Sequence, residues 1–136
     1  MIKICIADPH EIMRRRVKML LACVAGLQVA GEASDAGETL TCVRGGQFDV
    51  LLLDPSLAPY DDIVLIQQIR DQAPELKILV FSKNDDDQYL SRLLRAGADA
   101  YVAKTSELNQ LITAIKVAAS TGRPRIQSRL RSLSTA

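Results

Sequence analysis

Four apolar runs in this chain each give way to a single polar residue. "KICIAD" ends on Asp8, "VLLLD" on Asp54, "ILVFS" on Ser82 and "AYVAK" on Lys104. Singly, each has an ordinary explanation. An Asp after a strand is a turn residue or helix cap, a Ser a turn hydroxyl and a Lys a solvated charge. Together they are two carboxylates, a hydroxyl and an ammonium. Carboxylates brought close repel one another and raise their own pKa values unless a cation neutralises them. Mg2+ suits such a set, because it binds through one or two carboxylates plus waters and phosphate oxygens.

The elements that must position these residues follow from two hydrophobic periods. Ile2 to Ala7, Val50 to Leu53 and Ile78 to Phe81 are short continuous apolar runs, as in strands buried on both faces of a parallel sheet. Leu27 to Ala33 alternates like an edge strand, and Ala100 to Ala103 is the fifth strand. Helical stripes lie between them. They are Met13, Val17, Leu20, Leu21 and Val24; Ala36, Leu40 and Val43; Ile63, Ile66 and Ile69; Leu90, Leu93 and Leu94; and Leu108, Leu111, Ile112, Ile115 and Ala119. Gly45-Gly46, Pro74, Gly97 and Gly122 with Pro124 mark the helix ends. The pattern predicts an α/β fold, a doubly wound (βα)5 open parallel sheet in a single domain. Sites in such sheets lie beyond the carboxyl ends of the strands. Asp8, Asp54, Ser82 and Lys104 all fall on that rim.

Composition narrows the function classes. The 136 residues suit one core. With 17 basic and 16 acidic residues, the net charge of +1 argues against a domain-wide nucleic-acid surface. The chain has no Trp and few aromatics, which argues against stacking platforms for single strands. No apolar run reaches bilayer length, and "MIKICIAD" runs into a strand without a signal-peptide pattern. The reading is a cytoplasmic protein without membrane contact. Cys5, Cys23 and Cys42 show no metal or disulfide spacing. After residue 122 the composition shifts to "RPRIQSRLRSLSTA", with four arginines and no acid. Ile126, Leu130 and Leu133 would line one face of a short helix there, but a frayed or linker-like tail is the simpler reading.

At these motifs the sequence resembles the receiver domains of two-component response regulators, over about residues 2 to 122. "GEASDAGETL", "LLRAGADAYVAK" and "LNQLITAIKVAASTG" are most similar to the NarL/FixJ (LuxR-type) class. The resemblance implies a flavodoxin-like receiver fold with strand order 2-1-3-4-5, which sets Asp8 beside Asp54. It implies that Asp54 is the phosphoacceptor for a sensor histidine kinase or phosphotransfer protein. Mg2+ would be held by Asp8, Asp54 and the backbone carbonyl of Ser56. Lys104 and Ser82 would contact the phosphoryl group, and Tyr101 with Ser82 would be the switch pair. Such a domain modifies itself and is not a conventional turnover enzyme. Homodimers are compatible with the class. Residues 123–136 would be a basic tail or a linker stub toward a C-terminal DNA-binding domain, the only route to DNA.

The chain departs from the family pattern at Pro9, where a second acid usually follows the first. That substitution removes one oxygen ligand and one negative charge, so weak Mg2+ binding is expected. It also motivates an alternative: a receiver-fold interaction module with weak or no phosphorylation. Asp8-Pro9-His10-Glu11 has a second, purely structural reading as cap, first-turn proline and capping-box acid. The loop Leu57-Ala58-Pro59-Tyr60-Asp61-Asp62 lacks the family's usual glycines, and Lys83 follows the switch serine. Arg14-Arg15-Arg16 reads as a solvated helix face, and Asp85-Asp86-Asp87 as a helix N-terminus. His10, the sole histidine, is too weak a signal to assign as a ligand or a base. A flavin carrier would need a phosphate loop that "ADPHEIM" does not provide. A haloacid-dehalogenase-type phosphatase would need an Asp at position 56, which is Ser.

Overall fold

The computed structural model describes residues 1–121. The basic segment 123–136, with its candidate helix face, and the proposed boundary at residue 122 lie outside the described residues. The elements run β1 (Ile2–Ala7), α1 (Glu11–Ala22), β2 (Leu27–Ala33), α2 (Ala36–Arg44), β3 (Val50–Leu53), α3 (Asp62–Gln72), β4 (Lys77–Ser82), α4 (Asp87–Ala96), β5 (Ala100–Ala103) and α5 (Leu108–Ser120). All strand pairs are parallel, in the order β2-β1-β3-β4-β5. The predicted fold class, element count and strand order are all present.

Alternate residues of the central strands feed two cores, one on each face of the sheet. Cys5, Ala7, Leu51, Leu53, Ile78 and Val80 point to the side covered by α2, α3 and α4. Ile4, Ile6, Val50, Leu52, Leu79 and Phe81 point to the side covered by α1 and α5. This is why those runs are continuously apolar: neither face meets water. In α1 the inward stripe is narrower than predicted. Val17 and Leu21 are buried, but Leu20 is 41% exposed. A 12-residue amphipathic helix on one sheet face needs only a single narrow stripe.

The polar cap reading of Asp8 does not hold. Helix α1 begins at Glu11 with His10 as its N-cap residue, so Pro9 precedes the helix and does not start it. Glu11 pairs with Arg15 at 3.2 Å instead of closing a capping box. The "Arg14-Arg15-Arg16" face is only partly solvated, because Arg14 turns inward and its Nη1 donates to the Asp8 carbonyl at 2.7 Å. The acidic run before α4 is as predicted, with Asp86 accepting from the Tyr89 N–H at 3.0 Å.

One buried charge was not anticipated. Arg70, near the end of α3, is 2% exposed. Its guanidinium donates to the Gly97 carbonyl from Nε (3.1 Å) and Nη2 (2.6 Å), and to the Leu76 carbonyl from Nη1 (2.5 Å). Nη2 also pairs with Asp99 Oδ2 at 2.8 Å, an oxygen that accepts the Ile78 N–H as well. Gly97 ends α4 at φ +136°, and a Cβ there would lie 3.2 Å from Arg70 Cβ. Only glycine suits both the dihedral and the close approach. The fan of donors thus ties the ends of α3 and α4 to the start of β4. Replacing Arg70 by Ala removes the donor to the carbonyls of Ala73, Pro74, Leu76 and Gly97 and the cation beside Asp99. Arg70→Ala is expected to lower stability by about 3 kcal/mol, read from the urea midpoint. A change under about 1 kcal/mol would refute the anchoring role.

Candidate functional site

The rim residues are seated by the sheet itself. The ladder continues one residue past each strand: the Asp8 N–H donates to Ala33 O (3.0 Å), the Asp54 N–H to Ala7 O (2.8 Å) and the Lys104 N–H to Ser82 O (2.9 Å). The backbone positions of three charged residues therefore follow from strand pairing. Their side chains converge. Lys104 Nζ lies 2.6 Å from Asp8 Oδ2 and 2.6 Å from Asp54 Oδ2, with side-chain exposures of 2%, 2% and 8% respectively. The contact to Asp54 is an aligned hydrogen bond. The contact to Asp8 is an ion pair by distance only, and Asp8 Oδ2 is buried without a hydrogen-bond partner among the described residues. The Lys104 ammonium also lies over the Phe81 ring, 5.8 Å from its centroid.

Electrostatics keep the pocket ionised. Burial pushes the Asp54 carboxyl up, but the Lys104 hydrogen bond and those from the Ser56 N–H (2.9 Å) and hydroxyl (2.7 Å) outweigh it. The net effect holds Asp54 below the usual carboxylate range. Burial likewise pulls Lys104 down, but Asp54 and Asp8 more than compensate and raise it above the ordinary ammonium value. Two carboxylates against one ammonium leave one net negative charge. Asp54 is thus an ionised carboxylate held in place by Lys104 and Ser56.

Other predicted residues stand at different distances from this centre. Ser82 ends β4 and is buried, and its hydroxyl accepts the Asn84 N–H at 3.1 Å. Ser56 is exposed on the loop after β3 and meets Asp54 through its N–H and hydroxyl. Tyr101 packs against the core beneath α2, α3 and α4. Its hydroxyl is buried with no hydrogen-bond partner among the described residues. Burial first, then Asp85, raises the Tyr101 phenol pKa.

His10 is the residue that sequence reasoning left unassigned. Asp8 Oδ1 accepts both its N–H and its Nδ1, each at 2.8 Å, and Nδ1 lies 4.0 Å from Asp54 Oδ2. The signal was the Asp-x-x turn: proline has no N–H and a fixed φ, which favours a hydrogen bond from the residue two after Asp8. Asp8, His10 and Asp54 each offer one ligand atom, all within 4.8 Å of one another.

The response regulator receiver domain family model matches residues 4–116. The chain belongs to the response regulator receiver family. This receiver domain is 35% identical over 115 residues to the oxygen regulatory protein NreC of Staphylococcus haemolyticus, covering 84% of the chain and 53% of that relative. The chain spans about half the length of the curated relatives it matches. Among solved structures, a LuxR-family two-component response regulator from Aurantimonas sp. SI85-9A1 aligns with TM-score 0.82 and 27% identity, covering 97% of each chain. The isolated REC domain of RcsB from Salmonella enterica serovar Typhimurium, in the presence of phosphomimetic BeF3-, aligns at 0.81 and 25%, covering 96% of this chain and 97% of that one. The family implies a divalent cation in this pocket. The donor set fits one, since Asp8, His10 and Asp54 bring one ligand atom each within 4.8 Å of one another.

The pH dependence follows from the two shifts. The depressed Asp54 pKa contributes stability that is complete above the unfolded carboxylate range and is lost as pH falls through the folded value. The raised Lys104 pKa contributes stability that is complete below the unfolded ammonium value and is lost as pH rises through the folded one. Both contributions are therefore whole between about pH 5 and 10. Lys104→Met removes the cation that lowers the Asp54 pKa, so burial then raises it. Its urea midpoint is expected to climb as pH is lowered from about 7 to 5 while the wild type stays level. Parallel profiles would refute the bridging role.

Proposed function

We propose that this receiver domain takes a phosphoryl group on Asp54 from a histidine kinase or phosphotransfer protein, with Mg2+ as weakly bound cofactor. The observation that carries the reading is the Lys104 ammonium held on both Asp8 and Asp54, each 2.6 Å away. An Asp54 carboxylate oxygen attacks phosphorus, the bond to the donor imidazole nitrogen breaks, and an aspartyl phosphate remains. Lys104 then pairs with a phosphoryl oxygen as a point charge, and the Ser82 hydroxyl donates to another. Its shift draws on Tyr101, whose buried hydroxyl lacks a partner among the described residues. Mg2+, held by Asp8, Asp54 and the Ser56 carbonyl, neutralises charge on the phosphoryl oxygens when bound. The readout is a population shift in a two-state surface. In a longer regulator that output would be DNA binding through a C-terminal domain, with residues 123–136 as linker in the cytoplasm. The RcsB response regulator of Salmonella typhimurium, for which DNA interaction is described, is 25% identical and longer, this chain aligning to 65% of it. Homodimerisation through the receiver is part of the same reading.

Pro9 favours a second reading, an interaction module with little or no phosphorylation, because the pocket has one carboxylate fewer than the family pattern. The deciding experiment is incubation with acetyl phosphate and Mg2+ followed by intact-mass measurement. A phosphate-sized gain, absent in Asp54→Asn, is expected. No gain at saturating Mg2+ in folded protein would establish the interaction-module reading instead. Pro9→Asp restores the missing acid and is expected to tighten Mg2+ binding some tens-fold, about 2 kcal/mol. Unaltered affinity would show that Pro9 is not the weakening substitution.

A further inference from the structure

The cysteines show no disulfide spacing in the sequence, yet the fold brings two of them together. Cys5, in β1, belongs to the core beneath α2 and is fully buried. Cys42, in α2, is half-buried and packs against the same core. Both sulfurs lie over β2. Cys5 pairs in register with Gly31, where a Cβ would lie 3.7 Å from the Cys5 Sγ and 2.6 Å from the Phe48 ring. The absence of a side chain at Gly31 keeps that strip of β2 clear for the sulfur and the ring. Cys42 Sγ donates to the carbonyl of the next residue, Glu32, at 3.7 Å. A side-chain hydrogen bond joins the two thiols directly. Cys23 stands apart: it is exposed at the end of α1, and its Sγ donates to the Met19 carbonyl at 3.6 Å.

We propose that Cys42 and Cys5 form an oxidisable thiol pair, which hydrogen peroxide closes to an intramolecular disulfide. Cys42 is the member that solvent reaches, so it reacts first. Its sulfur attacks one peroxide oxygen, the O–O bond breaks, and Cys42 sulfenic acid and one water result. Burial first, then the neighbouring Cys42, pushes the Cys5 thiol up, so Cys5 stays protonated and does not compete for the oxidant. Contact with Cys42 makes the second step intramolecular. The Cys5 sulfur attacks the Cys42 sulfur, the S–S bond forms and the S–O bond breaks. The hydroxyl leaves with the Cys5 proton as a second water. In all, two thiols lose two electrons and two protons, and one peroxide becomes two waters. The product ties α2 covalently to β1. Both elements border the rim: β1 leads into Asp8, and the Ala36 N–H at the start of α2 donates to Ala58 O, in the loop after Asp54, at 2.8 Å. A pair with one accessible sulfur fits transient, reversible oxidation, not a permanent staple.

The test treats the folded full chain with hydrogen peroxide as wild type, as Cys23→Ser, and as Cys23→Ser with Cys42→Ser. Each sample is quenched in acid, alkylated in denaturant, digested and weighed. A peptide pair linking residues 5 and 42 is expected in the wild type and in Cys23→Ser, and dithiothreitol is expected to remove it. Alkylation of Cys5 is expected to fall about fivefold or more in those two proteins and to stay unchanged where Cys42 is Ser. Four results would overturn the proposal. They are dimers through Cys23 as the only product, sulfinic acid on Cys42 with Cys5 still alkylated, a link that forms only in urea, and a chain that does not react.

Discussion

The Lys104 ammonium lies 2.6 Å from one oxygen of Asp8 and 2.6 Å from one of Asp54, and all three side chains are almost excluded from water. Two carboxylates so close to a common point repel strongly at the reduced dielectric of a buried rim, and one cation between them turns the repulsion into two attractions. That contact sets requirements on everything beneath it. Strands β1 and β3 must be neighbours, which the order β2-β1-β3-β4-β5 supplies. Strand β5 lies two places from β3, so its terminal cation must cross β4. A lysine side chain is long enough for this, and its ammonium lies over the Phe81 ring. The strand interiors must be apolar on both faces so that nothing else competes for the charges.

Pro9 and His10 modify this arrangement at its solvent side. Here the edge carries an imidazole anchored by the two hydrogen bonds that Asp8 Oδ1 accepts. Arg14 reinforces the same turn through the Asp8 carbonyl. The inner half of the pocket is Asp54 with Lys104 and Ser56, and the outer half is Asp8 with His10.

Much of this was legible in the sequence, because strand ends are marked by the switch from an apolar run to one polar residue. Asp8, Asp54, Ser82 and Lys104 were placed on one rim by that rule alone, and the resemblance supplied the strand order. What could not be read depends on partners distant in sequence. Arg70 sits in "QQIRDQ", which looks like a solvated helix end. Its burial follows from the carbonyls of Leu76 and Gly97 turning toward it. His10 carries no periodicity and becomes significant only through a turn geometry. Leu20 belongs to a helical stripe by spacing, yet the sheet covers too narrow an arc of α1 to reach it.

The Arg70 fan has a mechanical consequence for α4. It fixes the carbonyl of Gly97, the residue at the helix's far end, and the Asp99 carboxylate just beyond. The opposite end is different: residues 83–88 are all exposed, and the first turn is held by the Asp86 side chain. The Gly97 end of the helix is therefore held by hydrogen bonds from a buried guanidinium, while the end nearer Ser82 rests on the Asp86 cap and on the packing of Tyr89 and Leu90 against the core. The two ends are thus held by different physics, one by buried charge-assisted hydrogen bonds and the other by apolar packing and an exposed cap.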